Sequence, residues 1–177
     1  MTTGQNDRTR EMLATALTME EKGRAFYEKA ASESSNNFGR EMCEQLRDYE
    51  DVHTARIKTI YKSLKGGAGW SEDWADLKPS QDLRAMFQKL AAAHAKDMTA
   101  NSGDLEILDV GLDFETKSID FYSSHLAEAT EAMERTFLEQ MIAEEREHFR
   151  LLSDLRQYYK DPAAWMMEKE RVTLDGA

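Results

Sequence analysis

The chain reads EEKGRAFY at residues 20–27 and EDVH at 50–53, and 95 positions later it reads ETKSIDFY at 115–122 and EREH at 145–148. Glu20, Phe26, Tyr27, Glu50 and His53 therefore recur in type and spacing as Glu115, Phe121, Tyr122, Glu145 and His148. The chain has four histidines, and two of them fall in register in this repeat. Folded as paired helices, the repeat brings four carboxylates and two imidazoles to one place, which is the ligand set of a dinuclear metal centre inside a four-helix bundle.

The residues around the repeat carry the same message. Met12, Leu13, Ala16, Leu17, Glu20, Gly23, Tyr27 and Ala30 follow a 3.6-residue period and predict a helix over about residues 8–33, with Gly23 marking close contact with a neighbouring helix. The Ser- and Asn-rich stretch 32–39 reads as a turn, and Met42, Leu46, Tyr49, Glu50, His53, Ile57 and Ile60 predict a second helix stopped by Gly66 and Gly67. Residues 8–65 form a first antiparallel hairpin on this reading, and residues 105–160 a second. Met12, Leu17, Met42, Leu46 and Ile57 map onto Ile107, Leu112, Phe137, Met141 and Leu152 at the same offset, so the core pattern repeats along with the polar one.

Between the hairpins, residues 66–104 are long enough to cross the bundle. They hold Trp70 and Trp74, then Ser80 as the cap of a shorter helix with an apolar stripe of Leu83, Met86, Phe87 and Leu90. Two hairpins joined by one crossover make the ferritin-like connectivity, as opposed to an up-and-down bundle with three short turns. Residues 161–177 read as a capped final helix and tail. The expected fold is all-α, one ferritin-like domain over residues 1–177.

Composition excludes several function classes. A net charge of -11 leaves no basic face for nucleic acid or for an anionic membrane surface. Residues 1–10 lack the apolar run of a secretion signal and no 18-residue apolar stretch occurs, so the expectation is a cytoplasmic protein. Cys43 is the only cysteine, which rules out an internal disulfide or a Cys-x-x-Cys metal ribbon and makes it a core residue.

A Glu and a His three positions apart on a helix lie on adjacent turns of one face, about 4.5 Å apart along the axis. Carboxylate and imidazole together suit iron, manganese or zinc. Any one of these acids alone reads as a solvated surface residue, as most of the 34 acidic residues must be. As a set they lie in line with the apolar faces of their helices, and four acids buried there need two divalent cations to balance them. Glu144 reads as a surface acid, with a further ligand as the alternative. His94 and His125 have no Glu three residues before them and read as non-ligands. Trp70, Trp74 and Trp165 read as covers for the bundle ends or as residues filling an interface, and the ten methionines as core.

Over residues 8–160 this pattern resembles the di-iron domain of rubrerythrins, within the ferritin-like superfamily. The resemblance implies Glu20 and Glu115 as terminal carboxylates, Glu50 and Glu145 as bridging ones, His53 and His148 as nitrogen ligands, and Tyr27 and Tyr122 close to the site. It also implies two iron ions and a redox reaction with peroxide or dioxygen. Two features depart from the family. A single cysteine cannot form the rubredoxin iron site that many rubrerythrins append, so an external electron-donor protein is needed. Rubrerythrins also carry an additional Glu one turn beyond the third-helix ligand, where this chain has Ser118. The leading expectation is a di-iron oxidoreductase acting as a homo-oligomer, a dimer first. An iron-oxidising storage or detoxification protein, or a non-catalytic metal-binding bundle, is the alternative.

Overall fold

The computed structural model describes residues 3–79, 82–94, 100–165 and 167. Five α-helices follow in chain order: α1 (Thr3–Glu33), α2 (Asn37–Lys65), α3 (Leu83–His94), α4 (Ser102–Glu128) and α5 (Ala132–Lys160), with a 3-10 turn at Asp73–Asp76 between α2 and α3. No strand occurs among the described residues, so the fold is the expected all-α, ferritin-like bundle. No helix among them is long and apolar enough to cross a membrane.

Local chemistry sets the ends of these helices. Asn36 caps α2 by accepting from the Gly39 amide at 2.8 Å, which satisfies one of the four amides a helix start leaves unpaired. At the far end Gly67 takes a positive φ of 77°, a conformation that disfavours any residue with a Cβ, and α2 stops where the Gly-Gly pair predicts. The helix α4 starts three residues earlier than expected, because Asn101 and Asp104 form a reciprocal capping box that draws the end of the crossover into the helix. Ser80 lies outside the described residues. The start of α3 is held by Asp82, whose carboxylate accepts from the Ala85 amide at 2.7 Å. After α5, Asp161 caps a further helical turn in the same way at Ala164.

The pairs α1/α2 and α4/α5 pack as hairpins, and α3 lies against α2 and α5. Two apolar clusters result. One gathers Tyr27 from the end of α1, Phe38, Met42 and Leu46 from the start of α2, Leu108 from the start of α4 and Leu151, Leu152 and Leu155 late in α5, all beneath α3. The other gathers Met12, Leu13 and Ala16, then Ile57 and Ile60, then Tyr122, then Phe137, Leu138 and Met141, with Trp74 over them. Each cluster is therefore one end of the bundle. Because the crossover runs from the second end back to the first, α2 and α4 are parallel, and the two Glu-x-x-His helices α2 and α5 face each other antiparallel. A short turn would have reversed that relation.

The tryptophans cover these ends as expected. Trp74 meets Phe137 edge-on with centroids 5.3 Å apart, and Trp165 packs on Tyr158 at the opposite end. Cys43 is buried, and burial pushes its thiol up to about 12, as suits a core residue.

Gly23 is a point of close approach. A Cβ there would stand 2.8 Å from the Phe114 ring and 3.2 Å from the Glu50 carboxyl carbon. Gly23→Ala should therefore destabilise the protein by about 1–3 kcal/mol through overpacking, although alanine is favoured by about 1 kcal/mol in an exposed helix. Urea unfolding measures the balance, and a stabilised variant would contradict this packing.

Candidate metal centre

Glu20 on α1, Glu50 and His53 on α2, Glu115 on α4, and Glu145 and His148 on α5 lie at the middle of their helices, between the two apolar ends. All six are at most 1% exposed. A solvated surface role is thereby excluded for every one of them.

Their geometry is close to two-fold. The His53 and His148 rings lie nearly parallel with centroids 5.5 Å apart. Glu145 spans them, with Oε1 3.3 Å from His53 Nδ1 and Oε2 3.2 Å from His148 Nδ1. Glu50 does the same from the other side, with Oε2 3.8 Å from His53 Nδ1 and Oε1 4.0 Å from His148 Nδ1. Glu20 Oε2 stands 3.1 Å from His53 Nδ1, and Glu115 Oε2 3.7 Å from His148 Nδ1. The two tyrosines cross between the halves: the Tyr27 hydroxyl donates to Glu115, and the Tyr122 hydroxyl to Glu20.

Several polar atoms in this cluster have no hydrogen-bond partner among the described residues: Oε2 of Glu50, Oε2 of Glu115, both oxygens of Glu145 and both ring nitrogens of His148. Buried polar atoms left without a partner cost about 1–3 kcal/mol each, which favours any group that can pair with them. Carboxylate oxygens and imidazole nitrogens that converge without pairing are the donor set that a divalent metal takes. Two overlapping groups satisfy the spacing for an ion, Glu50, Glu115, Glu145 and His148 in one and Glu20, His53 and Glu145 in the other.

Without metal, protons must balance the charge. Burial and the neighbouring charges of Glu20 and Glu145 hold the Glu50 carboxyl well above its usual range. Burial and the Glu145 charge raise Glu115 to about 8. Burial alone would discharge the imidazoles, but Glu145 beside His53 and Glu115 beside His148 prevail and raise both, His148 to about 9. Burial would likewise raise Glu145, and the two imidazoliums overcome it and depress that carboxyl. Burial and the nearby carboxylates push both Tyr27 and Tyr122 well up, so their hydroxyls stay donors.

The surface reading of Glu144 is corrected. Its side chain is 21% exposed, and it accepts from His53 Nε2 at 2.8 Å and from Arg56 Nη1 at 2.5 Å. Burial alone would raise this carboxyl, but the bonds from His53 and Arg56 bring it down to about 2. Arg56, fully buried, is the residue that sequence reasoning missed. Its signal was a charged position in line with Tyr49, His53 and Ile60 on the inner face of α2. His125 packs edge-on against Phe121 near the end of α4 and stands outside the cluster, as expected. The His94 side chain lies outside the described residues.

A family model described as Rubrerythrin matches residues 11–156, a span that contains all six residues of the cluster. Neither a curated protein nor a solved structure matches the chain.

The crowding of acids generates a stability prediction. In the presence of chelator, Glu50→Leu should be more stable than the parent by roughly 1–4 kcal/mol, since replacing a buried ionisable group in a strained cluster by an apolar one is often stabilising. Unfolding by urea in chelator checks it, and a loss of stability would show that the acids are better compensated than their geometry implies.

Proposed function

The chain belongs to the rubrerythrin family, and from that premise we propose that it is a di-iron oxidoreductase that reacts with peroxide or dioxygen and draws electrons from an external donor protein in the cytoplasm. The observation that carries the reading is the pair of central carboxylates: Glu50 and Glu145 each present one oxygen toward each histidine, so either would be able to hold two ions at once. Glu20 with His53, and Glu115 with His148, then complete the two positions. Iron, when bound, supplies the one-electron chemistry that these side chains lack.

The chain's own contribution is order and insulation. Tyr27 and Tyr122 each hold a terminal carboxylate of the opposite half by one oxygen, leaving the other oxygen turned to the histidine. The apolar clusters on either side keep bulk water away from the centre. With one cysteine, this sequence holds no thiolate iron site of its own to deliver electrons.

Loading under anaerobic conditions should give two irons per chain by metal analysis. Glu145→Ala should abolish paired binding, whereas Glu33→Ala, at an exposed acid paired with Lys29, should leave it intact. Equal small effects from both substitutions would sink the dinuclear reading.

Ser118 favours a second reading, in which the protein oxidises iron once and cycles slowly. It is buried on α4, one turn beyond Glu115, where the family carries a further carboxylate. Ser118→Glu should then raise repeated peroxide consumption with an artificial reductant several-fold at unchanged metal content. Fast cycling by the unmodified chain would show instead that no additional carboxylate is required.

A further inference from the structure

Besides Gly23 against Ser118, the repeat differs at two positions beside the histidines. Position 144 is the register equivalent of 49, and position 56 that of 151, so one half carries Glu144 and Arg56 where the other carries Tyr49 and Leu151. Each aromatic or acidic partner reaches across to the other half's histidine. Glu144 accepts from His53 Nε2 at 2.8 Å, and the Tyr49 ring meets His148 edge-on with centroids 5.2 Å apart.

The Glu144 side is held by several hydrogen bonds. Arg56 Nη1 donates to the same Glu144 oxygen at 2.5 Å, and Gln140 donates to the other oxygen at 3.1 Å. Arg56 Nε donates to the Leu77 carbonyl at 2.8 Å, which fastens the arrangement to the crossover. A carboxylate only accepts, so the proton of a neutral His53 must sit on Nε2, and its Nδ1 lone pair then faces Glu20, Glu50 and Glu145. His148 lacks this constraint: its Nε2 has no hydrogen-bond partner among the described residues.

We propose that the two metal positions are inequivalent, with Glu144 and Arg56 acting as positioning residues that make the His53 position bind first and more tightly, while the His148 position exchanges its ion more readily. This rests on the dinuclear reading above. It makes α2, the crossover and α5 one unit around His53, and leaves His148 Nε2 without such a partner.

Zn(II), which is diamagnetic, serves as the probe. Titration of the metal-free protein against a competing chelator should resolve two affinities about 10–100-fold apart, the effect expected of a hydrogen-bonded partner behind a ligating histidine. Nitrogen-15 NMR of labelled histidines in the Zn(II) form should show His53 protonated at Nε2 and bound through Nδ1. The double variant Arg56→Leu with Glu144→Tyr copies the His148 surroundings onto His53 and leaves no buried charge unpaired. It should bring the two affinities to within a few-fold of each other and remove the exchange protection of the His53 Nε2 proton. Glu144→Gln, a milder change that keeps size, should weaken only the tighter site. Equal affinities in the parent, or a double variant that binds as the parent does, would overturn the proposal. Fewer than two Zn(II) per parent chain would overturn the dinuclear reading itself, and this inference with it.

Discussion

Everything in this bundle is arranged around the burial of four carboxylates at its midpoint. An isolated buried carboxylate is costly enough that proteins neutralise or pair it, and here Glu20, Glu50, Glu115 and Glu145 are all at most 1% exposed. Positive charge has to come from somewhere. In the metal-free chain it comes from protons, held on Glu115 and on both imidazoles above their ordinary ranges. The same groups, relieved of those protons, are the ones whose lone pairs converge. The acidity that burdens the metal-free centre is what would favour cations there.

The topology follows from that requirement. Two Glu-x-x-His helices supply opposing pairs only if they run antiparallel and in register, and four helices joined by short turns would have placed α2 and α4, not α2 and α5, in that relation. The crossover solves this, and it does a second job on the way. Its Leu77 carbonyl accepts from Arg56, and Trp74 closes one end over Phe137. The connection is thus more than a tether: it is fixed to the side of the centre that holds His53.

The duplicated acids and histidines, the hairpins and the crossover were legible in the sequence because each depends on spacing along one helix, and a 3.6-residue period records spacing faithfully. So was the tight passage at Gly23, where a glycine within a helix asks for a reason. Glu144 and Arg56 were harder for a physical reason. What they do depends on a contact between helices in different halves, 88 residues apart, and no periodicity within one helix encodes it. A lone acid reads as a solvated surface residue, which is how Glu144 was misplaced. The capping box at Asn101 was local and readable in principle, but it sat at the end of a long crossover whose composition drew the boundary a few residues late.

Duplication also explains why the asymmetry matters. A perfectly repeated sequence would build two identical coordination positions, and any difference between them has to be written where the halves diverge. Two divergences beside the histidines are a carboxylate in place of a ring at 144 against 49, and a guanidinium in place of an isobutyl group at 56 against 151. Both lie on the same side of the centre, and they satisfy each other: Arg56 and Glu144 form one ion pair, so neither charge is stranded in the core. Had only one been present, the fold would carry an unpaired buried charge. That the two occur together, bonded to His53 and to the crossover, ties the departure from symmetry to the order of the centre and sets it apart from drift on a solvent face.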